Sequence, residues 1–222
     1  MTATASETEL IRAMKEVVAR CPRLARTCYW AGTAAIAVEE LHHRRSFDLD
    51  LHTHRALIDV RPLLAEVERA FGSSCNVLRA PDEFGDGFAV VVEYRPRKKI
   101  VLEVLSNYRD VEPRQLTPSK AVPGLMRVSL RRYLDDKVQC LIDRTEARDL
   151  VDIHAALAAQ PRLRSALRAA LRAQDGILLL QRMEGWTPAS LKADLAAYRD
   201  IDPSVALNMR NEVVRLMGRG GR

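Results

Sequence analysis

From Phe47 to Leu51, apolar and acidic residues alternate without a break: Phe47, Asp48, Leu49, Asp50, Leu51. A helix would scatter that pattern around its surface, whereas a strand sends alternate side chains to opposite faces. The segment therefore reads as a strand with both carboxylates pointing to the same face. Around it the chain divides in character. Ahead of about residue 125, β-like runs at Ser74 to Leu78, Phe88 to Tyr94 and Ile100 to Leu105 mix with helical stretches. The first helix starts from a capping box of Ser6 and Glu9 and carries the stripe Leu10, Ile11, Met14, Val17 and Val18, with Pro22 ending it. An Ala-rich helical run reaches about Leu41, and another helix fits Pro62 to Phe71. Ser106 to Val128 holds Pro113, Pro118, Pro123 and Gly124 and reads as an irregular connection. Every later segment has helical periodicity: Leu130 to Ile142, Glu146 to Ala159, Leu163 to Ala173, Pro188 to Tyr198 and Ser204 to Met217. The expected fold class is α+β. A mixed-sheet domain with at least four strands spans 1–125, a helical domain spans 126–222, and a cleft between them is the natural place for a site.

Composition narrows the classes of function. The 222 residues are 47% hydrophobic and 29% charged, enough for a core without disulfide staples. No stretch approaches the roughly 20 apolar residues of a membrane span. Met1 to Glu9 lacks the basic start and apolar centre of a signal peptide. Cys21, Cys28, Cys75 and Cys140 form no C-x-x-C pair, so a structural zinc site is not expected and a reducing cytoplasm is. The net charge is +6, and Pro161 to Arg222 carries 11 Lys and Arg against 6 Asp and Glu. A basic end of this kind suits a polyanion such as RNA or an acidic protein, and equally forms solvated helix faces. Arg164, Arg168 and Arg172, spaced by four, line one helix face there.

Asp48 and Asp50, two apart on a strand, stand about 6.8 Å apart at Cα on one face. Two carboxylates so placed repel each other, and a hard divalent cation relieves the repulsion. Alone, the pattern also fits a solvated edge strand. Sixteen residues before Asp48, Ala31-Gly32-Thr33 opens a helix, where a missing Cβ and free N–H groups form a phosphate cradle. A two-metal site needs a third acid. Glu103, a lone carboxylate inside Ile100 to Leu105, is preferred to Glu93, which ends its run. Further on, Lys137 lies in a helix, and Arg148, Asp149 and Asp152 have the spacing of one helix face. Tyr29 and Trp30 read as core rather than as a stacking platform. His52 and His54 share the strand face of Asp50.

Taken together, Ala31-Gly32-Thr33-Ala34-Ala35 and Arg45-Ser46-Phe47-Asp48-Leu49-Asp50-Leu51 resemble the G-G-T-A-L…R-x-S-x-D-x-D opening of the AbiEii/AbiGii-type nucleotidyltransferase toxins. That family lies in the polymerase-β-like nucleotidyltransferase superfamily. Lys137 and Arg144…Arg148-Asp149-Leu150-Val151-Asp152 resemble its later lysine motif and its R…K/R-D-x-x-D motif. Order and spacing agree from about Tyr29 to His154. Two departures stand out: the first Gly of the opening is Ala31, and the basic residue before Asp149 is Arg148. The resemblance implies a Mg²⁺- or Mn²⁺-dependent transferase using an NTP, and a cytoplasmic toxin paired with an antitoxin. For some members it implies nucleotide addition to the 3′ end of tRNA. Asp48, Asp50 and Glu103 would hold metal; Gly32, Thr33, Arg45 and Ser46 would receive phosphates. Lys137 would neutralise the triphosphate, Asp149 would orient Lys137 or the acceptor, and Arg148 and Asp152 would support it. The competing expectations are a transferase acting on a small molecule such as an antibiotic, and a non-catalytic binding module with a degenerate site.

Overall fold

The computed structural model describes residues 5–144, 146–198 and 201–218. The stretch from Met1 and the side chain of Ser6, on which the expected capping box rests, lie outside what is described. The chain divides into two compact units, Met1–Ser129 and Leu130–Arg222.

In the first unit, helix α1 (Ala5–Arg20) is followed directly by α2 (Pro22–Thr27), as Pro22 requires. Then come strand β1 (Cys28–Trp30) and helix α3 (Gly32–Ile36), which widens into a π-helical turn over Ala37–Leu41. Strand β2 (Asp48–Ala56) leads to helix α4 (Arg61–Phe71) and to strands β3 (Cys75–Arg79), β4 (Gly87–Arg95) and β5 (Lys98–Asn107). Two short strands, β6 (Leu116–Pro118) and β7 (Met126–Val128), complete the sheet. The strand order is β3-β4-β5-β2-β1-β7-β6, with β2 parallel to β5, β1 parallel to β7, and the remaining pairs antiparallel. The architecture is α+β, and the expected strands lie in this mixed sheet. Strand β1 and the strands within the proline-rich connection were not anticipated. Cys28, Tyr29 and Trp30 are all buried, so they give no alternation to read. Strand β7 pairs within the sheet just beyond the boundary drawn at residue 125.

Alternation decides which face is buried. Leu49, Leu51, Phe88, Val90, Val92, Leu102 and Val104 have essentially no exposure, and α1 and α4 pack on the sheet. Each such side chain stabilises the fold by about 1.5–3 kcal/mol. The face carrying Asp48, Asp50 and Glu103 is partly open.

A buried charge network, unsignalled by any motif, ties the π-helical turn to β7. Arg127 donates to Glu39 (2.9 Å) and to Glu40 (2.6 Å), and Glu39 also accepts from the Ser119 hydroxyl and the backbone N–H groups of Lys120 and Ala121. Burial alone would raise the Glu39 pKa, but these donors outweigh it and hold the carboxyl below its ordinary value.

The second unit is helical: α5 (Leu130–Asp143), α6 (Ala147–Ala159), α7 (Arg164–Arg172), α8 (Gly176–Gly185), α9 (Pro188–Asp194) and α10 (Pro203–Gly218). Helix α6 packs between α5 and α10. Helix α8 was missed. Its start signal is Asp175, whose carboxylate caps the N–H groups of Ile177 and Leu178, followed by a glycine that dilutes the helical pattern. No helix among the described residues is long and apolar enough to cross a membrane.

Candidate active site

Strand register builds the acidic face. Asp50 lies opposite Glu103 on the neighbouring parallel strand, and Asp48 lies opposite Val101. In-register residues on adjacent strands share a face, with strands about 4.8 Å apart. Asp50 and Glu103 are therefore side by side, and Asp48 follows two residues along. Glu93 lies opposite Lys99, towards the β4–β5 turn, where its carboxylate accepts the Arg97 N–H (2.9 Å).

Each of these carboxylates has a neighbour that holds it. The Ser46 hydroxyl donates to Asp48 Oδ1 (2.9 Å), and Arg79 Nη2 donates to Glu103 Oε1 (2.6 Å). Asp50 packs against Gly32. The Ala31 N–H donates to the Asp50 carbonyl (2.8 Å), after which Gly32 opens α3 with φ of +67°. A Cβ on Gly32 would fall 1.9 Å from Asp50 Oδ2. Glycine is thus required twice, by its backbone angle and by the close approach of a carboxylate. Gly32→Ala is expected to cost about 1–2 kcal/mol for the left-handed backbone alone, and to displace the Asp50 carboxylate. The melting midpoint should fall by several degrees, at about 2–4 °C per kcal/mol for a chain of this size; an unchanged midpoint would refute the close packing.

The basic and hydroxylic residues around this edge are arranged less simply than their order implies. Thr33 is 5% exposed, and its hydroxyl accepts from Arg44 Nη2 (2.8 Å). Arg44, two residues before Ser46 where the family pattern R-x-S-x-D-x-D has its Arg, is buried and also donates to the Arg45 carbonyl (3.2 Å), while Arg45 itself is exposed. Ser46 is buried and committed to Asp48. Tyr29 and Trp30 are fully buried, as core residues. The Tyr29 ring packs edge-on against His52 at 5.9 Å and tilted against His54 at 5.6 Å. Burial lowers the His54 pKa despite an opposing hydrogen bond with the Cys28 backbone.

In the helical unit, Lys137 is 4% exposed, and its ammonium lies 2.9 Å from Asp149 Oδ1 and 2.8 Å from Asp152 Oδ2, both residues fully buried. Arg144 grips Asp149 with Nε (3.1 Å) and Nη2 (3.0 Å). Two cations thus meet two carboxylates, and the buried group is formally neutral. Burial by itself would favour the neutral amine. Asp152, Tyr133 and Asp149 outweigh it and hold the Lys137 pKa above the ordinary lysine range. The expected single face of Arg148, Asp149 and Asp152 is corrected here. Asp149 and Asp152 turn inward to Lys137, whereas Arg148 donates to Glu146 (2.7 Å) and to the Tyr198 hydroxyl (2.7 Å). An uncompensated buried ammonium costs far more than a solvated guanidinium, so the lysine takes the acids. On α7, Arg164, Arg168 and Arg172 are exposed, and Arg164 lies 3.2 Å from Glu212.

Among the described residues no three His, Cys, Asp or Glu side chains converge into a formed metal cluster. By type the donor set still fits a hard divalent cation: three carboxylates on one open sheet face, with Asp50 and Glu103 in register.

A mixed sheet with an Asp-x-Asp strand, a Gly-opened helix at its edge and a third carboxylate in register defines a nucleotidyltransferase-type domain. A sequence model described as "Nucleotidyl transferase AbiEii toxin, Type IV TA system" matches residues 32–217. The chain belongs to this AbiEii family and is a nucleotidyltransferase. Similar solved structures share the fold. A putative nucleotidyltransferase from Helicobacter pylori is 20% identical with a TM-score of 0.56, covering 97% of this chain and 96% of that one. MenT4, a nucleotidyltransferase toxin from Mycobacterium tuberculosis H37Rv, is 15% identical with a TM-score of 0.53, covering 97% and 86%. The antibiotic-resistance factor ANT(2'')-Ia is 15% identical with a TM-score of 0.51, covering 75% and 93%. No curated protein matches this chain.

Proposed function

We propose that this protein is a cytoplasmic toxin that transfers nucleotides from an NTP to the 3′ end of an RNA, with tRNA the preferred acceptor, and so blocks translation until a cognate antitoxin neutralises it. The observation that carries the transferase chemistry is the row of Asp48, Asp50 and Glu103 on one open face beside Gly32. Asp48, Asp50 and Glu103 would hold Mg²⁺ or Mn²⁺, which supplies neutralisation of the triphosphate charge and acidifies the acceptor hydroxyl. Glu103 takes the proton of the attacking 3′ hydroxyl, a role worth about 10²–10⁴-fold for a well-placed base. The backbone at Gly32 receives phosphate oxygens; the Ser46 hydroxyl, which donates its one proton to Asp48, would turn that proton to a phosphate oxygen once a metal holds Asp48, and exposed Arg45 adds positive charge at the rim. Thr33 contributes by fixing Arg44 behind that rim. For Lys137, Asp149 and Asp152 the buried geometry favours a positioning role, which keeps α5 and α6 in register with each other; Arg148 supports the same helix through Glu146 and Tyr198. The exposed arginines of α7 suit RNA phosphates.

The test is direct. Purified protein with Mg²⁺ and each labelled NTP is offered total tRNA or a panel of small-molecule acceptors, and pyrophosphate release is followed. Label in tRNA is the expected result. Label in a small molecule would overturn the RNA acceptor, and no release with any acceptor would overturn catalysis.

A further inference from the structure

Three strand pairings place four residues in one row on the acidic face. Arg79 on β3 lies opposite Ala89 on β4, Ala89 lies opposite Glu103 on β5, and Glu103 lies opposite Asp50 on β2. The Arg79 side chain crosses β4 to reach Glu103 Oε1 at 2.6 Å. It does so because the residues beneath it are small. Ala89 is in register, and a Cβ on Gly87 would fall 2.6 Å from Leu105 Cδ2 and 3.5 Å from Arg79 Nη2.

The Arg79–Glu103 pair is half in water, at 52% and 36% side-chain exposure. An ion pair that open contributes little to stability, so stability alone does not account for it. Arginine carries five N–H donors in a planar fork, more than one carboxylate oxygen uses. The sheet order also separates the two flanks of the acidic row. Gly32 and Ser46, assigned above to NTP phosphates, lie on the β1–β2 side of Asp50, and Arg79 lies beyond Glu103 on the opposite side. The acceptor therefore enters from the Arg79 flank, with its 3′ hydroxyl at Glu103. The anion nearest that hydroxyl is the phosphate on the 5′ side of the same sugar. Beside three carboxylates such an anion needs a cation, and a guanidinium fork matches phosphate oxygens in pairs.

We propose that Arg79 binds the phosphate 5′ to the acceptor's terminal nucleotide and so selects a polynucleotide 3′ end over a small, uncharged or cationic acceptor. This rests on the transferase reading above, which assigns Glu103 to the acceptor hydroxyl. The rival explanation is that Arg79 serves only to neutralise Glu103.

Equilibrium binding of a short, fluorescently labelled single-stranded RNA, without NTP, separates the two. It is measured over a series of salt concentrations for the full chain and for Arg79→Ala, Arg79→Gln and Arg79→Lys. Loss of one phosphate contact on a single strand should flatten the log–log salt slope by about 0.7. That change is expected for Ala and Gln but not for Lys, with thermal midpoints unchanged because Arg79 ends an exposed edge strand. The same flattening should persist in a Glu103→Gln background. If the original chain binds RNA and Arg79→Ala leaves slope and affinity alone, the assignment is wrong. It is equally wrong if the effect vanishes in the Glu103→Gln background. A chain that binds no RNA yet labels a small molecule removes the RNA acceptor itself, an outcome recognisable before any Arg79 variant is made.

Discussion

Asp48→Ala is expected to abolish nucleotide transfer, a loss of at least about 10²–10³-fold, the scale seen when one preorganised charge contact at a reacting centre is removed. The fold should survive. Asp48 opens β2 on the face opposite the core, is only partly buried, and among the described residues is held by the Ser46 hydroxyl. Surface substitutions of this kind change stability by about 0.5 kcal/mol or less, which moves the melting midpoint by no more than about 2 °C in a chain of this size. Asp48→Asn should be as inactive as Asp48→Ala, because it keeps the shape and removes the charge. Asp50 would be a less clean choice, since its carboxylate also packs on Gly32 and its loss would leave a gap under α3. Pyrophosphate release and a thermal melt on the same preparation check the claim; a folded Asp48→Ala protein turning over at the original rate would sink the assignment of this face to catalysis.

The part of this site that was legible is the part written locally. Alternation from Phe47 to Leu51 is a property of five consecutive residues, and it put the two acids on one face, with Leu49 and Leu51 buried on the other; Phe47, just ahead of β2, breaks the pattern and is exposed. The small residue before Thr33 was legible as a backbone requirement, although its closest neighbour is the Asp50 carboxylate rather than open space. What the sequence could not supply is the register between strands distant in sequence. Glu103 was picked out as the third acid by its lone carboxylate in an apolar run, but its place beside Asp50 depends on how β2 and β5 pair, and a slip of one residue would turn it into the core. Arg79 needs three successive pairings, so nothing in its own neighbourhood marks it.

Helix periodicity failed for a different reason. Spacing by three and four makes Arg148, Asp149 and Asp152 neighbours, but does not say which of them the helix buries. That was decided by Lys137 on another helix. The clue available in advance was chemical: a lysine spaced by four residues from Tyr133 and Leu141 sits on an apolar stripe and demands carboxylates. The buried Glu39–Arg127 pair follows the same rule, with its partners separated by a sheet and a proline-rich connection.

The same burial makes Lys137 the position where substitution should damage the protein most. Lys137→Met removes the ammonium that touches both fully buried carboxylates, Asp149 and Asp152, and breaking a buried pair by removing one partner costs about 3–5 kcal/mol. The melting midpoint of the helical unit should fall by roughly 10 °C on the scale of about 2–4 °C per kcal/mol. Lys137→Arg should not restore it, because a planar fork does not fit the place of a compact ammonium between two carboxylates. Removing the acids as well, in a Lys137→Met, Asp149→Asn, Asp152→Asn variant, should recover much of the loss, since no uncompensated charge then remains inside. The dependence on pH has a definite sign. The folded-state pKa of Lys137 is raised, so its stabilisation is fully present below the unfolded value of about 10.4 and disappears only as pH rises through the higher folded value. The gap in stability between the original chain and Lys137→Met should therefore stay constant from neutral pH to about pH 10 and narrow above it. Urea denaturation across that range measures the gap. A Lys137→Met protein with an unchanged urea midpoint and no transfer would assign the ammonium to the substrate instead of to the core of the helical unit.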